Sequence, residues 1–126
     1  MNGKKITLLA VLTVNAALCA CAGTPYQPAN WTGGYKDAHI RDNLYYVEFS
    51  GNALLDAVTA AQYFHRRARE VCQENGYSDY RISQEKDITG LQAIGSSSGA
   101  TVLQKPGFAG YVECLSTSEA IAVAAP

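Results

Sequence analysis

"ALLDAVTAAQYFHRRAREVCQEN", residues 53–75, is the one long helical pattern in the sequence. Leu54, Ala57, Val58, Ala61, Phe64, Ala68, Val71 and Cys72 recur at steps of three and four, which lays one apolar stripe along an α-helix. Asn52 or Asp56 can cap its start by accepting backbone N–H bonds. Arg66, Arg67 and Arg69 crowd the C-terminal half, where the helix dipole favours cations. "NG" at 75–76 supplies a left-handed stop. Alanines in the stripe let such a helix lie close to a sheet.

Just before it, residues 44–50, "LYYVEFS", alternate with a period of two. Tyr45, Val47 and Phe49 fall on one face, Glu48 and Ser50 on the other, as in a half-buried strand. Gly51 and Asn52 follow as a strand-to-helix junction that needs a small residue and a cap; a ligand-binding turn is the competing reading. Residues 79–86, "DYRISQEK", read as a second strand with Tyr80 and Ile82 inward. Residues 87–107 are interrupted by Gly and Ser and read as a long hairpin loop with short strand extensions. Residues 108–116, "FAGYVECLS", read as a third strand on which Gly110, Val112 and Cys114 share a face. "EAIAVAAP" reads as a short strand or a frayed end. The expected fold is therefore α+β, one long helix packed on a small, mostly antiparallel sheet in the order β-α-β-β. The second face of that sheet would be poorly covered, leaving room for a partner.

The chain opens with Lys4 and Lys5, then "ITLLAVLTVNAALCA". A basic start and about 15 mostly apolar residues suit a secretory signal, whereas a spanning helix needs about 20. "LCAC", residues 18–21, gives Cys21 a Leu at −3 and a small Ala at −1, the spacing of a lipoprotein cleavage site. Cys19 has bulky Leu18 at −1 and fits badly. The expected organisation is a lipoprotein signal peptide over 1–20, an acylated Cys21 heading a flexible tether to residue 42, and a small domain over 43–126. Cleavage at "ACA", residues 20–22, with release as a secreted protein, is the alternative. Three acyl chains, as the lipoprotein pattern implies, would hold far better than one. Ala22 after the anchor, where Asp would favour the inner membrane, favours the outer membrane facing the periplasm.

Loss of Lys4 and Lys5 leaves 8 Lys+Arg against 11 Asp+Glu, a formal charge of −3. No basic excess points to nucleic acid. With Cys19 discarded and Cys21 acylated, Cys72 and Cys114 remain in an oxidising compartment. An even pair there is most simply a disulfide; free thiols or a bond to a partner chain are the alternatives. Convergence of the helix stripe and the third strand favours the disulfide. Eight tyrosines suit a thin sheet covered on one face, where the ring packs and the hydroxyl stays wet; a Tyr-lined ligand groove is the competing reading.

Residues carrying chemistry are few. Asp37, His39 and Asp42 cluster in "DAHIRD" without the fixed geometry of a metal site. His65 sits beside the helical stripe, where packing is commoner than catalysis. "GSSSG", residues 95–99, has no nucleophile-elbow context and no phosphate-binding Lys. Arg66, Arg67 and Arg69 form a solvated helix face or meet anionic headgroups or polymer. Arg67 and Glu70, three apart, can form a local ion pair. No catalytic residue, metal or cofactor is implied.

"GGY" (Gly33, Gly34, Tyr35), "VEFSGN" (Val47, Phe49, Gly51, Asn52), "RARE" (Arg67, Ala68, Glu70) and "GY" (Gly76, Tyr77) together resemble a family of uncharacterised small proteobacterial lipoproteins. The match covers roughly residues 21–85. Leu55 stands near a position where that family carries Thr, and Arg69 replaces an Ala. The resemblance implies an envelope lipoprotein and brings no catalytic assignment. The architecture also resembles small disulfide-linked envelope stress-sensor lipoproteins. The expected function is a non-enzymatic, tethered binding or structural domain with an envelope protein partner. Stress signalling, or an enzyme acting on cell wall or lipid, are the alternatives.

Overall fold

Two alternating runs meet across a two-residue turn. Strand β1 (Gly34–Arg41) and strand β2 (Leu44–Ser50) pair antiparallel, with Arg41 opposite Leu44 and Gly34 opposite Ser50. Asp42 in the turn has φ 43°, a left-handed conformation that Asp tolerates better than most residues. The computed structural model describes residues 23–124. The expected signal peptide over 1–20 and the acylated Cys21 lie outside them.

Helix α1 (Ala57–Glu74) follows β2 and leads to strand β3 (Asp79–Asp87). A hairpin of β4 (Gly90–Ser96) and β5 (Gly99–Lys105) comes next, then β6 (Gly107–Leu115) and helix α2 (Thr117–Ala124). The main sheet has the order β1-β2-β6-β3, antiparallel throughout, while β4 and β5 form a separate two-stranded sheet. The protein is thus α+β, with two helices among the described residues.

The core lies between α1 and one face of the main sheet. Val47, Phe49, Phe64, Cys72, Val112 and Cys114 are fully buried there, joined by Ala60, Ala68, Val71 and Tyr45. Cys72 on α1 and Cys114 on β6 are joined by a disulfide with a Cα–Cα distance of 5.2 Å.

The β-α-β-β expectation holds only in part. The strands expected over 44–50, 79–86 and 108–116 are present as β2, β3 and β6. The tether expected up to residue 42 instead contributes β1. Thr24, ahead of it, is only 1% exposed. Pro25, Pro28, Gly33 and Gly34 punctuate a folded strap here: Pro28 bridges Tyr35, and Asn30 bridges Gly33. Gly33 and Gly34 have φ of 115° and 132°, and a Cβ at either would collide with backbone, Ser50 O at Gly33 and Gln27 O at Gly34. Glycine is therefore a requirement of the turn, and not a sign of looseness.

Three further expectations need correction. Helix α1 starts at Ala57 with Asp56 as its cap, the carboxylate accepting from Thr59 N at 2.8 Å. Leu54 consequently falls in the preceding turn, and Val58 faces outward; both are 68% exposed. Ala60 takes the place in the buried stripe that the sequence pattern gave to Ala57, Val58 and Ala61. The 87–107 loop is mostly β4 and β5. The C-terminal tail is helical because Ser116 and Glu119 form a reciprocal capping box: Ser116 N donates to Glu119 Oε2 at 2.7 Å, and Glu119 N to Ser116 Oγ at 3.4 Å.

The disulfide closes a loop with a sequence separation of 42. Chain entropy assigns such a closure about 4 kcal/mol. The double variant Cys72→Ala/Cys114→Ala is expected to lose about that much stability, measured by urea unfolding.

Candidate functional site

Two surfaces gather polar and aromatic side chains. The first lies where the N-terminal strap crosses α1. Tyr26 is the centre of an aromatic row: its ring lies 4.9 Å from that of Tyr35 and 5.5 Å from that of Tyr63, which stands 5.2 Å from Phe49. The Arg66 guanidinium sits 3.8 Å over the Tyr26 ring, and Arg67 sits 4.4 Å over Tyr35. The Tyr26 hydroxyl donates to Glu70 Oε2 in a short hydrogen bond.

Arg67 is the hub. Its side chain is only 12% exposed, and Nε reaches Asp37 Oδ2 on β1 at 2.6 Å. Nη1 reaches Glu74 at 3.2 Å and Glu70 at 3.6 Å. Asp37 faces α1 because it alternates with Lys36 and Ala38 along β1. Burial opposes the Arg67 charge, but the hydrogen bond and charge of Asp37 outweigh it and hold the guanidinium above its ordinary pKa. Burial and the hydrogen bond to Glu70 push the Tyr26 phenol up. Burial also opposes the Glu70 charge; hydrogen bonds from Tyr26 and Arg66, with both arginine charges, outweigh it and hold the carboxyl down. The cluster fastens the strap and β1 to the helix.

The second surface is the sheet face turned away from α1. Register places Tyr46 of β2 opposite Tyr111 of β6, and their rings meet edge to face at 5.8 Å. The Tyr46 hydroxyl donates to Glu48 Oε2 at 3.0 Å, and burial followed by this bond raises its pKa. Arg81 of β3 stands opposite Glu113 of β6 and pairs with it. Lys36 and Ala38 on β1 and Ser83 on β3 share the face. At one end, Arg41, Asp42, Asn43, Leu44 and Glu113 line an open depression of about 300 Å³.

The residues singled out in the sequence are distributed unevenly over these surfaces. Cys72 and Cys114 meet in the core. Arg66 and Arg67 belong to the strap cluster, and Arg69 lies 5.7 Å from the Tyr80 ring centre. Arg67 is thus committed to intramolecular partners, while Arg66 stays 55% exposed. Gly51 is a junction: its N–H donates to Pro106 O at 2.7 Å, and a Cβ there would meet Leu55. Asn52 does not cap the helix. Its Oδ1 accepts from Thr24 N at 3.2 Å and Leu54 N at 3.1 Å, and its own N–H donates to Thr24 Oγ1 at 2.8 Å.

Asp37, His39 and Asp42 are not brought together. Asp37 holds Arg67, while His39 reaches the Asp42 carbonyl at 2.9 Å and lies against Tyr45. Among the described residues, no group of three His, Cys, Asp or Glu side chains is placed to hold a metal ion. His65 contacts the Tyr80 hydroxyl at 3.2 Å and Glu85 at 3.9 Å. The serines of 95–99 fall at the β4–β5 turn. The sequence pattern gives no role to Thr24 or Tyr26, and it marks Tyr35 only as part of the "GGY" motif. The available signal was the alternation Tyr35, Asp37, His39 ahead of a turn-forming Asp-Asn. Comparison with family models, curated proteins and solved structures gives no match to the chain.

The strap cluster carries a pH dependence. Glu70 has a lowered folded-state pKa, so its contribution is complete above about pH 4.5, its ordinary value, and is lost as pH falls through the lower folded value. Tyr26 has a raised one, so its contribution is complete below about pH 10 and is lost as pH rises through the higher folded value. Glu70→Gln should flatten the acid limb of a urea-midpoint-against-pH curve. Tyr26→Phe should cost about 1.5 kcal/mol at neutral pH, the low end for a hydrogen bond to a charged acceptor.

Proposed function

We propose that this chain is a bacterial envelope lipoprotein, acylated at Cys21 and held at the outer membrane facing the periplasm. Its domain is a non-enzymatic binding module for an envelope protein. The observation that carries the binding reading is the sheet face opposite α1. It presents Tyr46, with Tyr111 37% exposed, between the Glu48 carboxylate and the Arg81–Glu113 pair. Tyrosine and arginine are residues that protein interfaces favour, because each offers a broad apolar surface and a polar tip.

The disulfide supports the compartment. A buried Cys72–Cys114 bond joining helix to sheet suits an oxidising space, where such a bond persists. Two features support the anchor: the resemblance to small proteobacterial lipoproteins, and a cleavage-site spacing with Leu18 at −3 and Ala20 at −1 of Cys21. Function then follows from confinement: a module held in a thin layer meets membrane-bound partners at raised effective concentration.

The test is photocrosslinking in intact cells from a benzoylphenylalanine at position 111. A discrete envelope-protein adduct is expected, and Tyr46→Ser should abolish it while the circular dichroism spectrum stays that of the folded domain. A uniform lack of adducts from positions 36, 46, 83 and 111 would contradict the binding face.

A further inference from the structure

The short chain between the proposed anchor and the first fixed residue constrains which surface meets the membrane. Thr24 is 1% exposed and held by three hydrogen bonds. Its N–H donates to Asn52 Oδ1 at 3.2 Å, its Oγ1 donates to the Thr32 carbonyl at 2.7 Å, and Oγ1 accepts from Asn52 N at 2.8 Å. Gly23 lies so close to the next turn that a Cβ there would stand 3.0 Å from Leu54 O. Three residue steps separate Cys21 from Thr24, a reach of at most about 11 Å. An acylated Cys21 sits at the headgroup level, so the rim around Thr24 must lie against the bilayer.

That rim carries large apolar side chains. Trp31, 94% exposed, precedes Thr32, whose carbonyl holds Thr24. Leu54 and Val58, each 68% exposed, lie on the turn that holds Thr24 from the other side and on the first turn of α1. Over residues 23–34 and 52–59 the sequence contains one charged side chain, Asp56. Isolated exposed apolar residues are ordinary on a protein surface. Three of them flanking the attachment point, on near-neutral turns, match the chemistry of a bilayer interface, which tryptophan favours.

We infer that Trp31, Leu54 and Val58 form a bilayer-contacting face that seats the domain on the membrane carrying its anchor. The face rests on the reading that Cys21 is acylated. The lone charge at Asp56 makes zwitterionic lipid the matching surface. The domain is consequently oriented, and its open sheet face is presented at a fixed attitude to the bilayer.

The experiment uses the native full-length product, purified in detergent and reconstituted into phosphatidylcholine vesicles with plain or brominated acyl chains. Trp31 is the single tryptophan of the chain, so its emission reports this rim alone. Reconstitution should shift the emission to the blue, and brominated chains should quench it. Leu54→Asp/Val58→Asp should reduce both effects with an unchanged circular dichroism spectrum. Mass spectrometry of the N-terminal peptide reads the anchor separately. Acylated protein whose Trp31 emission stays water-like and unquenched overturns the face and leaves the anchor standing. So does a Trp31 that lipid fails to quench but that crosslinks to a protein in cells. An N-terminal peptide without acyl chains overturns the anchor, and the face with it.

Discussion

The covalent joint between Cys72 and Cys114 ties the only long amphipathic helix among the described residues to a central strand of the main sheet. A domain of this size buries few large side chains, and its full burial is concentrated in Val47, Phe49, Phe64, Val71 and Val112 between that helix and the sheet. Restricting the unfolded chain at this point compensates for a small core. The same joint sets helix against sheet at one place, so that Ala60 and Ala68 can come close without larger side chains to wedge them apart.

The strap cluster completes the other edge. Strand β1 pairs along its length with β2 alone and meets the strap on its other side only at Tyr35, so this edge strand needs something to hold it. Arg67 supplies that by reaching from α1 to Asp37 of β1 while stacking on Tyr35. Tyr26 then brings the strap down onto the helix through Glu70 and Arg66. Arg67, Asp37 and Glu70 are less exposed than the Arg81–Glu113 pair, so solvent screens their interactions less. A chain segment that composition marks as loose is thereby made part of the fold, and the distance from the proposed anchor to the domain is short.

That shortness connects fold to proposed function. A long tether would let the domain tumble and sample partners in any attitude. A strap fixed from Thr24 onward leaves few orientations. The open sheet face and the apolar rim then have separate roles in the proposal, one toward a protein and the other toward lipid.

Elements with local signals are legible in the amino-acid order. The period of α1, the alternation of β2 and β6 and the left-handed stop at Gly76 are each readable within a few residues, and the stripe of α1 and the inward face of β6 point Cys72 and Cys114 at each other. The capping box at Ser116 and Glu119 was also local, and it was obscured by the β-branched, alanine-rich run that follows. The remaining contacts arise only once the chain is folded. Arg67 finds Asp37 across 30 residues of sequence, and Thr24 finds Asn52 across 28, so neither partnership has a local signature. Prolines and glycines break a regular period whether the chain is a free tether or a tightly folded strap. Only the neighbours that pack against them distinguish the two, and those neighbours are supplied by the fold.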